Sequence, residues 1–496
     1  MIIFLASFIL IIIFFTIKKL IKSHKALYYY NKGIEHHQLG ELQEALKNYN
    51  KALLFKHDYA SAYNNRGNIY LLLEKPEEAL KDFNQYMNIE PHTAESYYNR
   101  GLAYFQMNDL QEAIENYSQA IHIDLSYACA YYNRGIIHLR LKKFQQAAKD
   151  FTDTIDLTPD DPEAYDMRGL AYTELGNFQA AIKDYNQALL IDPNNANAYY
   201  NRGNLQRNSG NLQEALADYN QSIRLAPLLV ASYVNRAIVY RRLGNFAKAL
   251  EDYDQALHLD PNCIDAYYNR GGAYTYFGNM QEAMADFDRV LRLNPNDGEA
   301  HYIRKAIQLA EDYTQAIRHN PNDAEAYYNR ATVYADLKLS QRAIGNYNQA
   351  ITLNPNYVDA YHDRGTIYLE LGNVQEAIED FTRSIRIDPN YDRAYYSRGT
   401  TYLESKNFQE AIENFNQALR LNPNHAHAYH NRGNTHFKLG NLEEAIEDFN
   451  QAIRLNPNLA QAYFNRGNVY SQLGEVQKAI VDHDQAIRVN PNLAQT

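Results

Sequence analysis

The chain has 496 residues, of which 44 are tyrosine and none is tryptophan, and its formal net charge is -11. This acidity argues against a nucleic-acid partner, because a phosphate-binding surface needs an excess of lysine and arginine. The two cysteines, Cys129 and Cys263, are far apart and provide neither a disulfide framework nor a C-x-x-C metal or redox motif.

The N-terminal stretch MIIFLASFILIIIFFTI carries no charge, and KKLIKSHK follows it. As a helix it would extend ~25 Å, slightly less than a hydrocarbon core of ~30 Å, and Leu20 and Ile21 can lengthen it. We therefore predict a transmembrane anchor over residues 1–21 and a basic juxtamembrane linker over residues 22–25. The lysines follow the span, so the positive-inside rule predicts a single-pass membrane protein with its remaining chain in the cytoplasm. A cleaved signal peptide on an exported protein, or a buried helix, stays open as an alternative.

Near-copies of the sequence AYYNRG recur along the rest of the chain, and the glycines that end them are mostly 34 residues apart. A period of 34 residues is typical of a solenoid built from helical hairpins. Fourteen units can be marked, and they start at residues 26, 60, 94, 128, 162, 196, 230, 264, 298, 324, 358, 392, 426 and 460. Residues 494–496 then remain as a tail.

Each unit carries the signals of two helices, which we call helix A and helix B. In the unit at 426–459, helix A is predicted to end at Leu439, because Gly440 can take the left-handed conformation that closes a helix. Helix B is predicted to begin at about Leu442 and to end before Pro457, because proline cannot continue a helix. Twelve of the 14 prolines hold this place in their units.

The glycine of the repeated motif lies inside helix A, where it costs ~1 kcal/mol relative to alanine. We attribute its retention to a close crossing with helix B, with a small residue such as Ala79 facing Gly67. Aromatic residues such as Tyr63 and Phe83 are expected to fill the wider gaps, so most tyrosines are predicted to belong to the core.

The unit at 298–323 is eight residues shorter than the others and has no turn residue between Glu299 and His319. Its apolar residues keep a period of 3.6, which predicts one continuous helix. Such a helix would be a seam between units 1–8 at 26–297 and units 10–14 at 324–493. Two shortened helices with a tight turn are the alternative.

The repeated pattern resembles the tetratricopeptide repeat (TPR) family, with tyrosine in place of the family's usual tryptophan. The resemblance covers residues 26–493. It implies an all-α fold: a right-handed superhelical solenoid of antiparallel helix pairs, here with 14 TPR-like units of which one is shortened, preceded by the predicted transmembrane helix. It also implies that helix A residues line a concave groove that binds other proteins.

An arginine stands before the motif glycine in most units, and an aspartate or asparagine follows it sixteen residues later. The planar fork of arginine suits a carboxylate, so we predict structural ion pairs between helices A and B. Ligand-binding arginines are the alternative. The predicted pairs are Arg66–Asp82, Arg134–Asp150, Arg202–Asp218 and Arg270–Asp286.

Asparagine precedes most of these arginines, at a position that faces the groove in the TPR family. A buried amide without partners would cost ~1–3 kcal/mol, whereas a primary amide in a groove can donate to and accept from the backbone of an extended peptide. An asparagine ladder similar to this one lines the TPR region of O-linked N-acetylglucosamine transferase, where it binds substrate peptide. The predicted peptide-binding residues are Asn65, Asn99, Asn133, Asn201, Asn235, Asn269, Asn329, Asn431 and Asn465, with Tyr98, Tyr132, Tyr200 and Tyr268 beside them.

Two observations limit this prediction. The asparagines can instead bond to neighbouring helices or water, and Met167, Ile303, Asp363 and Ser397 interrupt the series. The groove also differs from that of co-chaperone TPR domains, which hold a C-terminal carboxylate with lysines, because no lysine stands at the second or fifth position of any unit.

The repeats leave little of the chain for a catalytic domain, and no G-x-x-x-x-G-K-[ST], H-E-x-x-H or G-x-S-x-G motif is present. We therefore predict no enzyme activity, no catalytic residue and no cofactor. Histidines cluster at His425, His427, His430 and His436, but no carboxylate or cysteine completes a ligand set, so no metal site is predicted.

The leading hypothesis is a membrane-anchored, non-catalytic scaffold that binds extended segments of partner proteins in its groove. One alternative is a structural solenoid that self-assembles through an uncapped C-terminal unit, because the ends of solenoids normally need capping. The residues of that end are Phe464, Val469, Tyr470, Ile480 and Ile487. Another alternative, from the asparagine resemblance, is the substrate-recruiting arm of a separate glycosyltransferase.

Overall fold

The structure is a computed structural model that describes residues 2–491 and 493. These residues form 27 α-helices and no strand. The helices divide into two compact units, an N-terminal unit that ends at Pro261 and a C-terminal unit that begins at Asn262. The predicted all-α solenoid of helix pairs is thereby confirmed.

The N-terminal unit contains α1 (Ile2–Gln38), α2 (Leu42–Phe55), α3 (Ala60–Leu72), α4 (Pro76–Ile89), α5 (Ala94–Gln106), α6 (Leu110–Ile123), α7 (Ala128–Arg140), α8 (Phe144–Leu157), α9 (Pro162–Glu174), α10 (Phe178–Ile191), α11 (Ala196–Asn208), α12 (Leu212–Leu225), α13 (Val230–Arg242) and α14 (Phe246–Leu259).

The C-terminal unit contains α15 (Ile264–Phe277), α16 (Met280–Leu293), α17 (Gly298–His319), α18 (Ala324–Asp336), α19 (Ser340–Leu353), α20 (Val358–Glu370), α21 (Val374–Ile387), α22 (Asp392–Glu404), α23 (Phe408–Leu421), α24 (Ala426–Leu439), α25 (Leu442–Leu455), α26 (Ala460–Gln472) and α27 (Val476–Val489).

The helices alternate as A and B within the repeats, and each A helix packs on the B helix that follows it. Short turns join the two, as in an αα-hairpin. Successive A helices also contact one another, for example α9 with α11, α11 with α13, and α22 with α24. Because the A helices of neighbouring repeats lie side by side, residues at equivalent positions form continuous rows along each unit.

Glycine stands in the left-handed conformation in most turns between helices A and B, as the sequence predicts. All eight predicted turn glycines have positive φ, between 74° and 84°, and Gly440 is the left-handed cap of α24. Five repeats place another residue in the same conformation, with φ between 56° and 61°: Glu74, Asn108, Lys142, Lys338 and Lys406. The backbone of this turn therefore forms even where the residue disfavours it.

The motif glycines face aromatic rings. A Cβ atom at Gly67 would stand 2.5 Å from Cε1 of Phe83, and one at Gly101 would stand 2.5 Å from Cε1 of Tyr117. Both rings are fully buried on helix B. The expectation that an alanine such as Ala79 faces the glycine is therefore wrong, since the large ring next to the backbone of helix A is what excludes a side chain.

A single helix occupies the shortened repeat. Helix α17 runs for 22 residues without interruption, as its 3.6-residue period predicts, so two shortened helices do not form. Ile307 and Ala310 of this helix are buried in a cluster that also includes residues of α16 and α19. Nη2 of Arg342 on α19 donates to the main-chain oxygen of Phe277 at 2.5 Å. The tenth repeat therefore contacts the end of helix A of the eighth repeat directly.

The prediction of a transmembrane anchor is wrong. Helix α1 is continuous from Ile2 into helix A of the first repeat, and the side chains at 2–12 and 15 lie outside the described residues. Among the described residues, none of the helices combines the length and the apolar composition that a membrane span requires. From Ile13 to Lys25 lysines interrupt the apolar residues, whereas a span needs about 20 predominantly apolar residues in succession. The predicted single-pass membrane location, with the repeats in the cytoplasm, is therefore wrong as well. The prediction that residues 1–21 have the membrane as a partner is wrong for the same reason.

Candidate functional site

Ladder asparagines donate to side chains of the preceding repeat, 35 residues earlier. The Nδ2 atom of Asn133 donates to the hydroxyl of Tyr98 at 3.0 Å. The same bond joins Asn65 to Tyr30 at 3.1 Å, Asn235 to Tyr200 at 3.1 Å and Asn431 to Tyr396 at 3.2 Å. At these positions the asparagine bonds to a neighbouring A helix, which is the alternative that the sequence left open.

The acceptor changes where the preceding repeat has no tyrosine. It is Asn64 for Asn99 (2.6 Å), Asp166 for Asn201 (3.0 Å) and His430 for Asn465 (3.1 Å). Asn269 differs, because its Nδ2 atom donates to the main-chain oxygen of Asp265 in its own helix at 2.8 Å. Asn329 is half-buried on α18. The ladder is thus a set of side-chain bonds between A helices rather than one unbroken chain.

The four predicted groove tyrosines pack on helix B of their own repeats. Their ring centroids lie 5.6 to 6.3 Å from those of Tyr117, Phe151, Tyr219 and Phe287, the partners of Tyr98, Tyr132, Tyr200 and Tyr268 in that order. All four are half-buried. Burial raises the pKa of Tyr132 to about 12, so its hydroxyl is neutral at ordinary pH. The rings of these tyrosines therefore pack in the core, while part of each side chain stays exposed.

The arginines and aspartates predicted to pair lie within bonding distance of each other. The distances from Nη2 to Oδ1 are 2.6 Å for Arg66–Asp82, 2.7 Å for Arg134–Asp150, 2.6 Å for Arg202–Asp218 and 2.6 Å for Arg270–Asp286. A second bond runs from Nε of Arg66 to Oδ2 of Asp82 at 2.7 Å. Burial raises the pKa of Asp82, while the bond to Arg66 opposes this shift.

Arg66, Arg134 and Arg202 also have a second partner that the sequence analysis missed. Nη1 of Arg66 donates to Oδ1 of Asn50 at 2.5 Å, and Nη1 of Arg202 donates to Oδ1 of Asn186 at 2.6 Å. Both acceptors lie on helix B of the preceding repeat, sixteen residues before the arginine. A search sixteen residues before each arginine, and not only sixteen residues after it, could have revealed these acceptors. One arginine therefore connects three helices of two repeats.

Two hollows on the helix A side contain residues of the predicted site. In the N-terminal unit, a hollow of about 190 Å³ is lined by residues that include Tyr98, Cys129, Tyr132, Asn133, Thr154 and Thr158. In the C-terminal unit, a hollow of about 540 Å³ is lined by residues that include Thr400, Leu403, Phe408, Asn431, Asn434 and Lys438. Each hollow is lined by residues of two successive A helices, including one ladder asparagine, and by at least one residue of a B helix, such as Thr154 of α8 or Phe408 of α23.

The clustered histidines take part in the fold. His430 accepts the ladder bond from Asn465, and Nδ1 of His425 accepts the backbone N–H of Ala428 at 3.2 Å, which caps α24. Burial lowers the pKa of both histidines. Across the described residues, no group of three or more histidine, cysteine, aspartate or glutamate side chains is placed to hold a metal ion.

Family models described as TPR repeat or tetratricopeptide repeat match most of the chain. They match residues 33–74, 60–92, 101–142, 130–161, 169–209, 194–262, 237–308, 324–357, 358–391, 381–413, 399–440, 433–474 and 460–493. Among curated proteins, none matches the chain.

Several solved structures share parts of the repeat fold. YrrB, described as a TPR protein with an unusual peptide-binding site, is 28% identical, covers 38% of this chain and 97% of its own, and has a TM-score of 0.34. A tetratricopeptide repeat protein from Parabacteroides merdae is 21% identical and covers 50% of this chain and 98% of its own, with a TM-score of 0.43. The APC/C hetero-tetramer Cut9–Hcn1 is 15% identical and covers 94% of each chain, with a TM-score of 0.42. All three TM-scores are below 0.5.

Proposed function

The chain belongs to the tetratricopeptide repeat family, and we propose that it is a non-catalytic scaffold whose A helices bind extended segments of partner proteins. Repeat arrays of this kind present long surfaces rather than a single closed site. The observation that supports the proposal is the pair of hollows, each of which is bordered by a ladder asparagine on the helix A side of its unit.

The ladder bonds leave hydrogen-bonding groups for such a segment. A primary amide has two N–H donors and a carbonyl oxygen, and the bond from Asn133 to Tyr98 uses one donor. The second N–H and the oxygen can pair with a peptide group, while a side chain of the segment enters the hollow beside Cys129. We extend this role to the equivalent residues Asn65, Asn201, Asn269, Asn329, Asn431, Asn465, Tyr98, Tyr132, Tyr200 and Tyr268. Asn235 and Asn99 are left out of it, because the Asn235 amide already bonds to Tyr200, Asn204 and Arg207 and Asn99 is buried.

The arginine–aspartate pairs support this surface in the proposal without contacting the ligand. Arg134 bonds Asp150 in its own repeat and Ser118 in the preceding one, and it therefore holds the helices behind Asn133 in place. Asp150 is almost fully buried. A ligand would reach the asparagine row first, and the ion pairs would act by fixing its geometry.

The test begins with peptides selected on the full-length chain from a library of random twelve-residue segments. Affinities are then measured for variants in which a bulky side chain fills one hollow, Cys129→Trp or Asn434→Trp. The matched control is Leu125→Trp, because Leu125 is 72% exposed in the turn before α7 and does not line the hollow. We expect a loss of at least tenfold for peptides that use the filled hollow.

Equal affinity for the wild type, both hollow variants and the control would contradict the proposal. It would also be contradicted if no peptide bound the chain above the level of an unrelated helical protein. Circular dichroism of each variant distinguishes a blocked hollow from a misfolded repeat, since Cys129 is exposed and a larger side chain there does not enter the core.

Self-association through the last repeat is a second candidate, supported by an apolar surface on α27. Val476, Ile480, Val481 and Ile487 are 63%, 48%, 57% and 38% exposed, respectively. The equivalents of Val476 and Ile480 in the preceding repeat, Leu442 and Ile446, pack against a cluster that includes Val469 of the next A helix. Sedimentation at increasing concentration tests this: association that Ile480→Glu abolishes would support it, and a monomer at all concentrations would exclude it.

A further inference from the structure

Three arginines at the ends of two neighbouring A helices form a cationic surface in the N-terminal unit. Arg207 lies in the last turn of α11, and Arg241 and Arg242 lie in the last turn of α13. The two helices contact each other, and Nη1 of Arg242 donates to the main-chain oxygen of Arg207 at 3.2 Å. We call these three residues the arginine cluster.

The asparagine ladder orients the first member of this cluster. Nη1 of Arg207 donates to Oδ1 of Asn235 at 2.6 Å. Nδ2 of Asn235 in turn donates to the hydroxyl of Tyr200 at 3.1 Å and to Oδ1 of Asn204 at 3.0 Å. Arg207 is half-buried against these groups, so its guanidinium lies on the same row as the proposed peptide-binding asparagines.

The cluster differs from the structural arginines of the same helices by its lack of a counter-charge. Arg202 on α11 pairs with Asp218, and Arg236 on α13 pairs with Asp252, each at 2.6 Å. Within the described part of the chain, Arg207 and Arg242 are bonded to amide and carbonyl oxygens, and no ion pair includes any of the three arginines. Because the chain as a whole has a net charge of -11, this local excess of positive charge does not follow from its composition.

A simpler role for these arginines is to stabilise the ends of their helices. A cation in the last turn of a helix is stabilised by the negative end of the helix dipole. That role accounts for one exposed arginine on each helix. It does not account for the convergence of Arg242 and Arg207 from different helices, or for the bond that directs Arg207 onto the asparagine row.

We propose that the arginine cluster binds a glutamate- or aspartate-rich part of the extended segment that the A helices hold. The inference rests on the proposed function and adds the chemistry of the partner. Arginine presents a planar fork of donors that matches a carboxylate, and Arg241 and Arg242 are exposed to receive one. The hollow at Asn133 would accept backbone and side chains of many kinds, whereas the cluster would fix the register of the segment by charge.

The experiment measures binding of a fluorescent octaglutamate peptide to the full chain, with octaglutamine as the uncharged comparison. Both peptides are acetylated and amidated, so that side-chain carboxylates alone carry the charge. The triple variant R207Q/R241Q/R242Q removes the whole cluster. The double variant R241Q/R242Q removes two of its members and keeps Arg207. The matched control is R224Q/R420Q/R454Q, which changes the net charge by the same amount at exposed arginines in the last turns of the B helices α12, α23 and α25.

We expect octaglutamate to bind the wild type and the control equally, and the triple cluster variant at least tenfold more weakly. The double variant should lose a smaller part of the affinity, and octaglutamine should not distinguish the four proteins. Raising the salt concentration should weaken octaglutamate binding to the wild type, because exposed charges are screened.

The inference is overturned if the control loses as much affinity as the cluster variant, or if octaglutamate does not bind. It is also overturned if a single-stranded oligouridylate binds through the same arginines and octaglutamate does not. If library-selected peptides still lose affinity in Cys129→Trp, the scaffold function stands and only the acidic partner is wrong. If those peptides are insensitive as well, both proposals fail.

Discussion

Asn133 on α7 donates its side-chain amide to the hydroxyl of Tyr98 on α5 at 3.0 Å, across 35 residues of sequence. The separation exceeds the repeat period by one, so each bond of this kind joins one A helix to the A helix before it. In repeat proteins, stability is approximately a sum of terms within repeats and terms between nearest neighbours. The ladder contributes to the second kind of term, on the surface that we propose for binding.

Removing the acceptor of one ladder bond tests its contribution. Tyr98→Phe keeps the ring on Tyr117 and should lower the free energy of unfolding by about 0.5–1.5 kcal/mol, since one hydrogen bond is lost. Tyr132→Phe is the matched control, because the residue 35 positions later is Met167, which cannot donate a ladder bond. Hydrogen exchange of α5 and α7 should show the difference, and equal effects of both variants would refute the ladder's role.

The cost of losing an arginine depends on whether its partner is charged. Arg66→Met leaves the carboxylate of Asp82 buried without its counter-charge and should cost about 3–5 kcal/mol. Arg398→Met should cost about 1 kcal/mol, because its partner Asn414 is neutral. Urea unfolding followed by hydrogen exchange separates the two cases. Equal losses would show that the carboxylate is not what makes the arginine necessary.

A methyl group at the motif glycine should collide with the ring behind it. Gly67→Ala places Cβ 2.5 Å from Phe83 and should cost about 1–3 kcal/mol, as overpacked cores do. The control is Gly272→Ala in α15, where no atom lies within 4 Å of the added Cβ and helix propensity should raise stability by about 0.5–1 kcal/mol. Thermal unfolding of both variants should therefore shift in opposite directions. A second substitution, Phe83→Leu, should recover part of the loss in Gly67→Ala.

Asp166 makes the fifth repeat sensitive to pH. Burial raises its pKa from 3.8 to about 6, opposed by the bond from Asn201 and increased by the charge of Glu163. At a pH between these two values, the carboxyl group of Asp166 is protonated in the folded chain and ionised in the unfolded chain. The free energy of unfolding therefore falls as the pH rises from about 4 to about 6. Asp166→Asn keeps an acceptor for Asn201 and should stabilise the protein at pH 7 by on the order of 2 kcal/mol.

The pH dependence supplies the control for this prediction. At about pH 3 the carboxyl group is largely protonated in both states, so the wild type and Asp166→Asn should unfold at nearly the same denaturant concentration. The stabilisation should appear between about pH 3 and about pH 6 and stay constant above it. A variant whose destabilisation grows as the pH rises would indicate that the bond from Asn201 to the carboxylate outweighs its burial, and a pH-independent effect would show that the pKa of Asp166 is not shifted.

The turn between α7 and α8 carries backbone strain that glycine would remove. Lys142 has φ of 56°, whereas the equivalent residue in eight other repeats is glycine. The left-handed conformation costs a side-chain-bearing residue roughly 1–2 kcal/mol, so Lys142→Gly should stabilise the protein by about 1 kcal/mol. Lys143→Gly is the control, because Lys143 has φ of -89° and gains nothing from glycine. A loss of stability in Lys142→Gly would show that its side chain compensates for the strain.

The sequence shows the recurring positions of the candidate site, but it shows only some of their bonding partners. The recurring asparagine and arginine stand out by spacing alone, and the four arginine–aspartate pairs are readable because both members belong to one repeat. The second acceptors, such as Asn50 for Arg66, were missed because they belong to the preceding repeat. The N-terminal apolar stretch was misinterpreted as a membrane span, since its composition does not show that α1 continues into the first A helix.

The sequence by itself determined the period, the ends of the helices and the single helix in the shortened repeat. These follow from local physics: proline and glycine stop a helix within a few residues, and a 3.6-residue apolar period needs no distant partner. The tertiary structure alone decided which side chains meet, including the ring of Phe83 against Gly67 and the hydroxyl of Tyr98 with Asn133. Such contacts depend on how closely the helices cross and on which repeat lies alongside. The packing of whole repeats sets both, because it brings together residues 16 or 35 positions apart.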